Sequence, residues 1–194
     1  MLDWLFATLG YGLCHQLPER SLFAGGFQLP VCARDTGIYL GFVASWITLV
    51  WLDRGRRSAE LPRWPVLALI AVFVGTMAVD GVTSYAGIRT TTNDLRLLTG
   101  MLTGWRLAAV TFPMVNSQLW VRVGSGRTPS GVREIVLWLG GLVLSFVAAK
   151  WLLPAAGVAY PLLASASIIS TFVLVNLVFV GLMPPFERRA VRLT

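Results

Sequence analysis

The feature that most constrains this chain is its succession of long apolar runs, separated by short loops that carry its arginines. The runs cover about 36–52, 64–86, 93–121, 132–153 and 159–183. A helix rises 1.5 Å per residue, so about 17–25 apolar residues cross the ~30 Å hydrocarbon core of a bilayer. Each run is therefore read as a spanning helix. The whole chain is 56% hydrophobic and only 13% charged, against about 25% charged residues in soluble domains. A soluble fold of 194 residues has too little interior to hide so much apolar surface, so lipid is the expected solvent.

The net charge of +7 comes almost wholly from arginine. In a soluble protein it would raise the question of nucleic acid. Here the arginines sit between apolar runs, where they set topology, and no nucleic-acid partner is expected. Arg54, Arg56, Arg57 and Arg63 follow the first run, Arg122, Arg127 and Arg133 follow the third, and Arg188, Arg189 and Arg192 lie in the tail. All fall on one side of a five-span arrangement, which is then cytoplasmic. Arg20, Arg34, Arg89 and Arg96 fall on the other, with Lys150 near a helix end.

The expected fold is an all-α, polytopic membrane bundle of five transmembrane helices plus an N-terminal interfacial or re-entrant segment. Residues 1–13 are apolar but too short to span. They lack the basic start of a signal peptide and carry Asp3, whereas Trp4 and Phe6 suit the headgroup level. Residues 1–35 form an extracytoplasmic segment, 36–186 the transmembrane domain and 187–194 a basic cytoplasmic tail. The protein is placed in the inner (plasma) membrane with its N-terminus outside and its C-terminus in the cytoplasm.

Polar chemistry concentrates in two places. Cys14, Cys32 and the single histidine, His15, lie between residues 14 and 32, in a stretch read as an irregular loop because of its prolines and Gly25-Gly26. Cys14, His15, Cys32 and Asp35 are four potential ligands of a tetrahedral metal, zinc first, which accepts sulfur, imidazole and carboxylate donors. Adjacent Cys14 and His15 need a turn to converge, since neighbouring side chains diverge on helix and strand alike. A Cys14–Cys32 disulfide is the competing reading, and two free thiols a third.

The second cluster is Asp80, Arg89, Asn93 and Arg96. Asp80 lies inside an apolar run, where a carboxylate marks a functional position by default. Arg89, Asn93 and Arg96 surround the outer start of the third long helix, a place that attracts anions. These four are the candidate catalytic residues, toward an anionic or lipid-derived substrate, with membrane lipid as the surrounding partner. Arg106 is the natural ion-pair partner of Asp80, and the two can instead line the polar path of a transporter or channel. Gly100-x-x-x-Gly104 is a close-packing face. No phosphate-binding glycine loop, nucleophile elbow or HExxH is present.

At Cys14-His15-Gln16, Pro18, Arg20-Ser21, Pro30, Cys32-Ala33-Arg34, Thr36-Gly37-Ile38-Tyr39 and Gly41, and again at Asp80-Gly81, Gly87, Arg89, Thr92-Asn93, Arg96 and Thr99-Gly100, the sequence resembles the predicted integral membrane proteins of domain of unknown function 2085. The resemblance covers about the first 110 residues. It implies a Cys-His pair and a Cys-x-x-Cys pair, in the manner of a metal site or redox centre. This chain departs at Asp35, which stands in the last cysteine position. That lowers thiol redox chemistry and leaves a mixed Cys/His/carboxylate site. The resemblance carries no activity with it.

Overall fold

The computed structural model of the protein describes residues 2–61, 64–87, 91–183 and 185–186. Helix α1 (Leu2–Tyr11) comes first, followed by the strands β1 (Ser21–Ala24) and β2 (Phe27–Cys32). Long helices follow: α2 (Ala33–Asp53), α3 (Trp64–Tyr85) and α4 (Asn93–Leu119). Then α5 (Val132–Val147) runs through a π-helical turn, Ala148–Leu152, into the short α6 (Leu153–Ala155), and α7 (Ala159–Gly181) completes the bundle. Within α3, the side chains of residues 64–67, 69, 70, 73, 74, 76, 80 and 85 lie outside the described set, as do residues 88–90 and 187–194 throughout.

Two expectations are corrected. Among the described residues three helical stretches, not five, are long and apolar enough to cross a membrane: Ala33–Asp53, Val132–Ala155 and Ala159–Gly181. Helix α4 has the length, but Arg96, Arg106 and its threonines make it too polar. Helix α3 falls where a span was expected, but much of its side-chain placement lies outside the described residues. The N-terminal stretch is likewise not a separate interfacial or re-entrant segment. It packs on the hairpin through the buried Phe6, whose ring meets Phe27 edge-on at 5.9 Å.

Of the stretch read as an irregular loop, residues 14–17 are irregular and Pro18–Arg20 forms one 3-10 turn, but residues 21–32 form a β-hairpin. Strands β1 and β2 pair antiparallel, with Ser21 opposite Cys32 and Ala24 opposite Phe27. Gly25 and Gly26 form the two-residue turn with φ +59° and +81°. Two successive positive φ values match the right-handed strand twist, and glycine reaches them without strain. The Gly25 backbone also lies against Gly157 and Val158, so the hairpin tip is wedged at the α6–α7 junction.

The bundle is organised on the crossing of α2 with α4. Lipid removes most of the hydrophobic drive between helices, so close van der Waals packing must hold them. Glycines supply it from both sides. Gly37 and Gly41 of α2 lie on the backbone of Leu97 and Met101, and Gly100 and Gly104 of α4 lie on that of Arg34 and Ile38. Farther along, Ser45 donates to the Trp105 carbonyl at 2.8 Å and accepts from Trp138 Nε1 at 3.0 Å, tying α2, α4 and α5 together. Ile47, Val50 and Trp51 of α2, Val143 and Leu144 of α5, and Phe172, Val173 and Phe179 of α7 are exposed, giving these helices lipid-facing sides.

The opposite end of α2 is closed by polar bonds. Asp53 is 3% exposed. Its carboxylate accepts from the backbone N–H of Arg57 at 2.7 Å and of Ser58 at 3.3 Å, and from Thr128 Oγ1 at 2.8 Å. Asn116 donates to the Ser58 carbonyl at 2.9 Å. The loops after α2 and α4 are thereby joined at the end of the bundle that carries Arg54, Arg56, Arg57, Arg122, Arg127 and Arg133.

Candidate metal centre

Cys32 sits at the junction of strand and helix. Its backbone is extended (φ −63°, ψ 164°), and α2 begins at the next residue. Thr36 donates to the Val31 carbonyl at 3.3 Å and steadies that junction. Asp35, three residues on, returns to the same side of the first helical turn, where the helix dipole favours a carboxylate. Cys32 Sγ lies 3.3 Å from Asp35 Oδ2.

Cys14 is brought in by the loop after α1. Gln16 takes a left-handed conformation, φ +51°, and its side-chain amide donates to the carbonyls of Ala7 at 2.9 Å and Pro30 at 2.8 Å. Its own carbonyl accepts from Gln28 Nε2 at 2.7 Å. The loop is thus fastened to both α1 and β2, and Cys14 Sγ accepts from the Cys32 N–H at 3.3 Å. The donor atoms of Cys14, Cys32 and Asp35 all lie within 4.8 Å of one another. Both cysteines are free thiols. The three groups form a half-buried cluster that can coordinate a metal.

The two sulfurs are not equivalent. Hydrogen bonding from the Cys32 side chain lowers the Cys14 thiol to about 6, helped by the backbone at Gln16 and Cys32 and opposed by burial and the Asp35 charge. The same contact pushes the Cys32 thiol up, with burial and the Asp35 charge acting in the same direction. One thiolate is therefore available near neutral pH even without a metal.

His15 does not join the converging donors. It is exposed at the mouth of a small cavity beside the cluster. Cys14 turns toward Cys32, and His15 lines the cavity without belonging to the three-donor group. The cavity, about 30 Å³, is lined by Cys14, His15, Cys32, Arg20, Arg34 and Arg96, among others. That is room for a water molecule or an ion.

Of the second cluster, Asn93 and Arg96 are described. Thr92 caps α4 by accepting from the Leu95 N–H at 3.3 Å. Asn93 donates to the carbonyls of Glu19 and Ser21 at 3.3 and 3.2 Å, which docks the start of α4 on the loop before the hairpin. Arg96, 8% exposed, donates to Asn93 Oδ1 at 3.0 Å and Ser84 Oγ at 3.3 Å and reaches the cavity wall. The structure thus brings Arg96 to the thiols, with Asn93 as its brace. The Asp80 side chain and all of Arg89 lie outside the described residues, and with them the Asp80–Arg106 pair and the polar path drawn through it. Arg20 and Arg34 line the cavity; the sequence marked them as basic residues on one membrane side and within the motifs Arg20-Ser21 and Cys32-Ala33-Arg34, but not as candidate site residues. The available signal was Arg34's position inside Cys32-x-x-Asp35.

These observations define a multi-pass membrane protein built on a helix bundle, with a thiol–thiol–carboxylate cluster at the start of its first spanning helix. The chain belongs to the family described as predicted membrane protein, DUF2085, whose model matches residues 14–110. That match runs from the first cysteine through the α2–α4 crossing. The chain is 35% identical over 103 residues to an uncharacterized protein of Methanocaldococcus jannaschii, covering 53% of this chain and 63% of that protein. It therefore spans less than two thirds of that relative's length. A second uncharacterized protein, from Methanothermobacter thermautotrophicus, is 35% identical over 99 residues, 51% of this chain and 84% of its own. No solved structure matches.

Proposed function

We propose that this protein is a membrane metalloprotein with a three-ligand zinc site at Cys14, Cys32 and Asp35. Its fourth position faces the arginine-lined cavity, where the anionic group of a substrate meets the metal. The convergence of the three donor atoms carries this reading. Zn–S bonds of about 2.3 Å set two thiolates roughly 3.8 Å apart in a tetrahedron. Donors already within 4.8 Å of one another need to close by about 1 Å or less. Three protein ligands with an open position are the pattern of a catalytic rather than a structural zinc. Such an ion polarises an oxygen and activates water, and Arg20, Arg34 and Arg96 supply donors for phosphate or carboxylate. Hydrolysis of an anionic ester is the reaction class this pairing serves.

The positive-inside rule supports an extracytoplasmic position for the site. The cluster lies at the N-terminal end of α2, whereas Arg54, Arg56 and Arg57 lie at its other end together with the Arg122–Arg133 loop. The test is elemental analysis and thiol counting on purified protein. About one zinc per chain is expected, lost in Cys14→Ser and Cys32→Ser and retained in His15→Ala. Metal-free protein whose intact mass shows a Cys14–Cys32 disulfide would overturn the reading.

A further inference from the structure

The donor cluster has two sides. The small cavity reaches Cys14 and Cys32 from the side of Arg20, Arg34 and Arg96, and its described lining includes neither Asp35 nor Tyr39. Tyr39 follows Asp35 by four residues on α2, so the two share one face of the helix. The rise between them is about 6 Å at 1.5 Å per residue. Long side chains on a helix lean toward its N-terminus, over the residue four places earlier. Tyr39 therefore leans back toward Asp35. It is half-buried, and the charges of Asp35, Cys14 and Cys32 all act on its phenol.

The ring rests against α7. Its centroid is 6.1 Å from that of Phe172, at an angle of 37°, within the range of aromatic pairs. Among the described residues no hydrogen bond engages the hydroxyl. A hydroxyl withdrawn from water gains by finding an acceptor, and the carboxylate on its own helix face is one.

Metal binding creates the matching need at Asp35. In the structure Cys32 Sγ donates to Asp35 Oδ2 at 3.3 Å, and Cys14 also bonds to the carboxylate. Thiols that bind a metal lose their protons, so neither sulfur then has one to donate. Zinc covers one oxygen of a monodentate carboxylate and leaves the other without its former donors. Ligating carboxylates are ordinarily hydrogen-bonded in their turn.

We infer that Tyr39 is a positioning residue of the metal centre. With zinc bound, its hydroxyl donates to the Asp35 oxygen that the metal leaves uncovered, and this fixes the direction of the carboxylate toward the ion. The inference deepens the proposed function and rests on its zinc site. It adds a group from the second turn of α2 to a site otherwise built from the loop after α1 and the junction of β2 with α2.

Zinc affinity is measured on the full-length protein in detergent micelles, by competition with a chromophoric chelator, for wild type and Tyr39→Phe. Phenylalanine keeps the ring against Phe172 and removes only the hydroxyl. An affinity about 10–100-fold weaker is expected, the usual effect of losing such a partner, with the unfolding midpoint of the zinc-free protein not lowered. Cobalt(II) loaded in place of zinc reads the geometry directly. The visible bands of the thiolate-ligated ion should shift in Tyr39→Phe while cobalt still binds. Equal zinc affinities with unshifted cobalt bands, or a loss of affinity matched by an equal loss of zinc-free stability, would overturn the inference. Wild-type protein that binds no zinc removes the metal reading and the role of Tyr39 with it. Wild-type binding that Tyr39→Phe leaves intact removes the role of Tyr39 alone.

Discussion

Replacing Gly100 by alanine tests the physical basis of the site most directly. A Cβ at Gly100 falls on the backbone carbonyl of Arg34, well inside contact distance, and also meets the Arg34 Cα at 3.2 Å. Backbone cannot swing aside as a flexible side chain can, so α4 must move away from α2. Overpacking of this kind costs about 1–3 kcal/mol. Alanine also gains ~0.5–1 kcal/mol over glycine in a helix interior, which would blur a single measurement. Gly140 of α5 supplies the control, because a Cβ there meets nothing within 4 Å. Both substitutions share the propensity gain, so their difference isolates the steric term at ~1–3 kcal/mol, or about 5–150-fold in the unfolding constant. Reversible denaturant unfolding in detergent micelles measures it. The clash falls on Arg34, immediately before the proposed ligand Asp35, so Gly100→Ala should also lower zinc retention while Gly140→Ala does not. Equal stability of the two variants would refute the close-packed crossing and the placement of Arg96 that depends on it.

In protein stripped of metal, Cys14 should be alkylated faster than Cys32 at pH 7. Its thiol is lowered to about 6 and is mostly thiolate above that pH, whereas the Cys32 thiol is pushed up and stays protonated. The labelling rate should fall as pH drops through about 6, and mass spectrometry of the labelled peptides reads both sites. Asp53→Ala should destabilise the protein by about 3 kcal/mol or more. It strands the N–H groups of Arg57 and Ser58, each worth roughly 1–3 kcal/mol when buried and unsatisfied, while Thr128 keeps Ser58 Oγ as a partner. Alanine at the exposed Asp3 should change stability by less than about 0.5 kcal/mol, and thermal unfolding of the two variants makes the comparison. Asn93→Ala should remove two bonds to the Glu19 and Ser21 carbonyls and one from Arg96. Hydrogen exchange across residues 17–24 should rise, whereas a purely local effect would confine the change to the start of α4.

The amino-acid sequence by itself determined the solvent and the placement of the long helices. Apolar runs and arginine-bearing loops are local properties, and a bilayer leaves a helix few alternatives. It also marked Cys14, Cys32 and Asp35, because sulfur and a carboxylate stand out at the edge of an apolar run. The Gly25-Gly26 turn was equally local and was misread, since glycine pairs break helices and build hairpins alike. What only the tertiary structure decided was which groups meet. The α2–α4 crossing, held by glycines from both helices, joins residues some sixty positions apart and brings Arg96 to the thiols. Gln16 turns Cys14 inward and leaves His15 outside, a choice between neighbours that spacing cannot make. The Asp53–Thr128 closure and the placing of Arg34 in the wall of the thiol cavity have the same origin. Each depends on distances between segments remote in the chain, and those distances are set by packing.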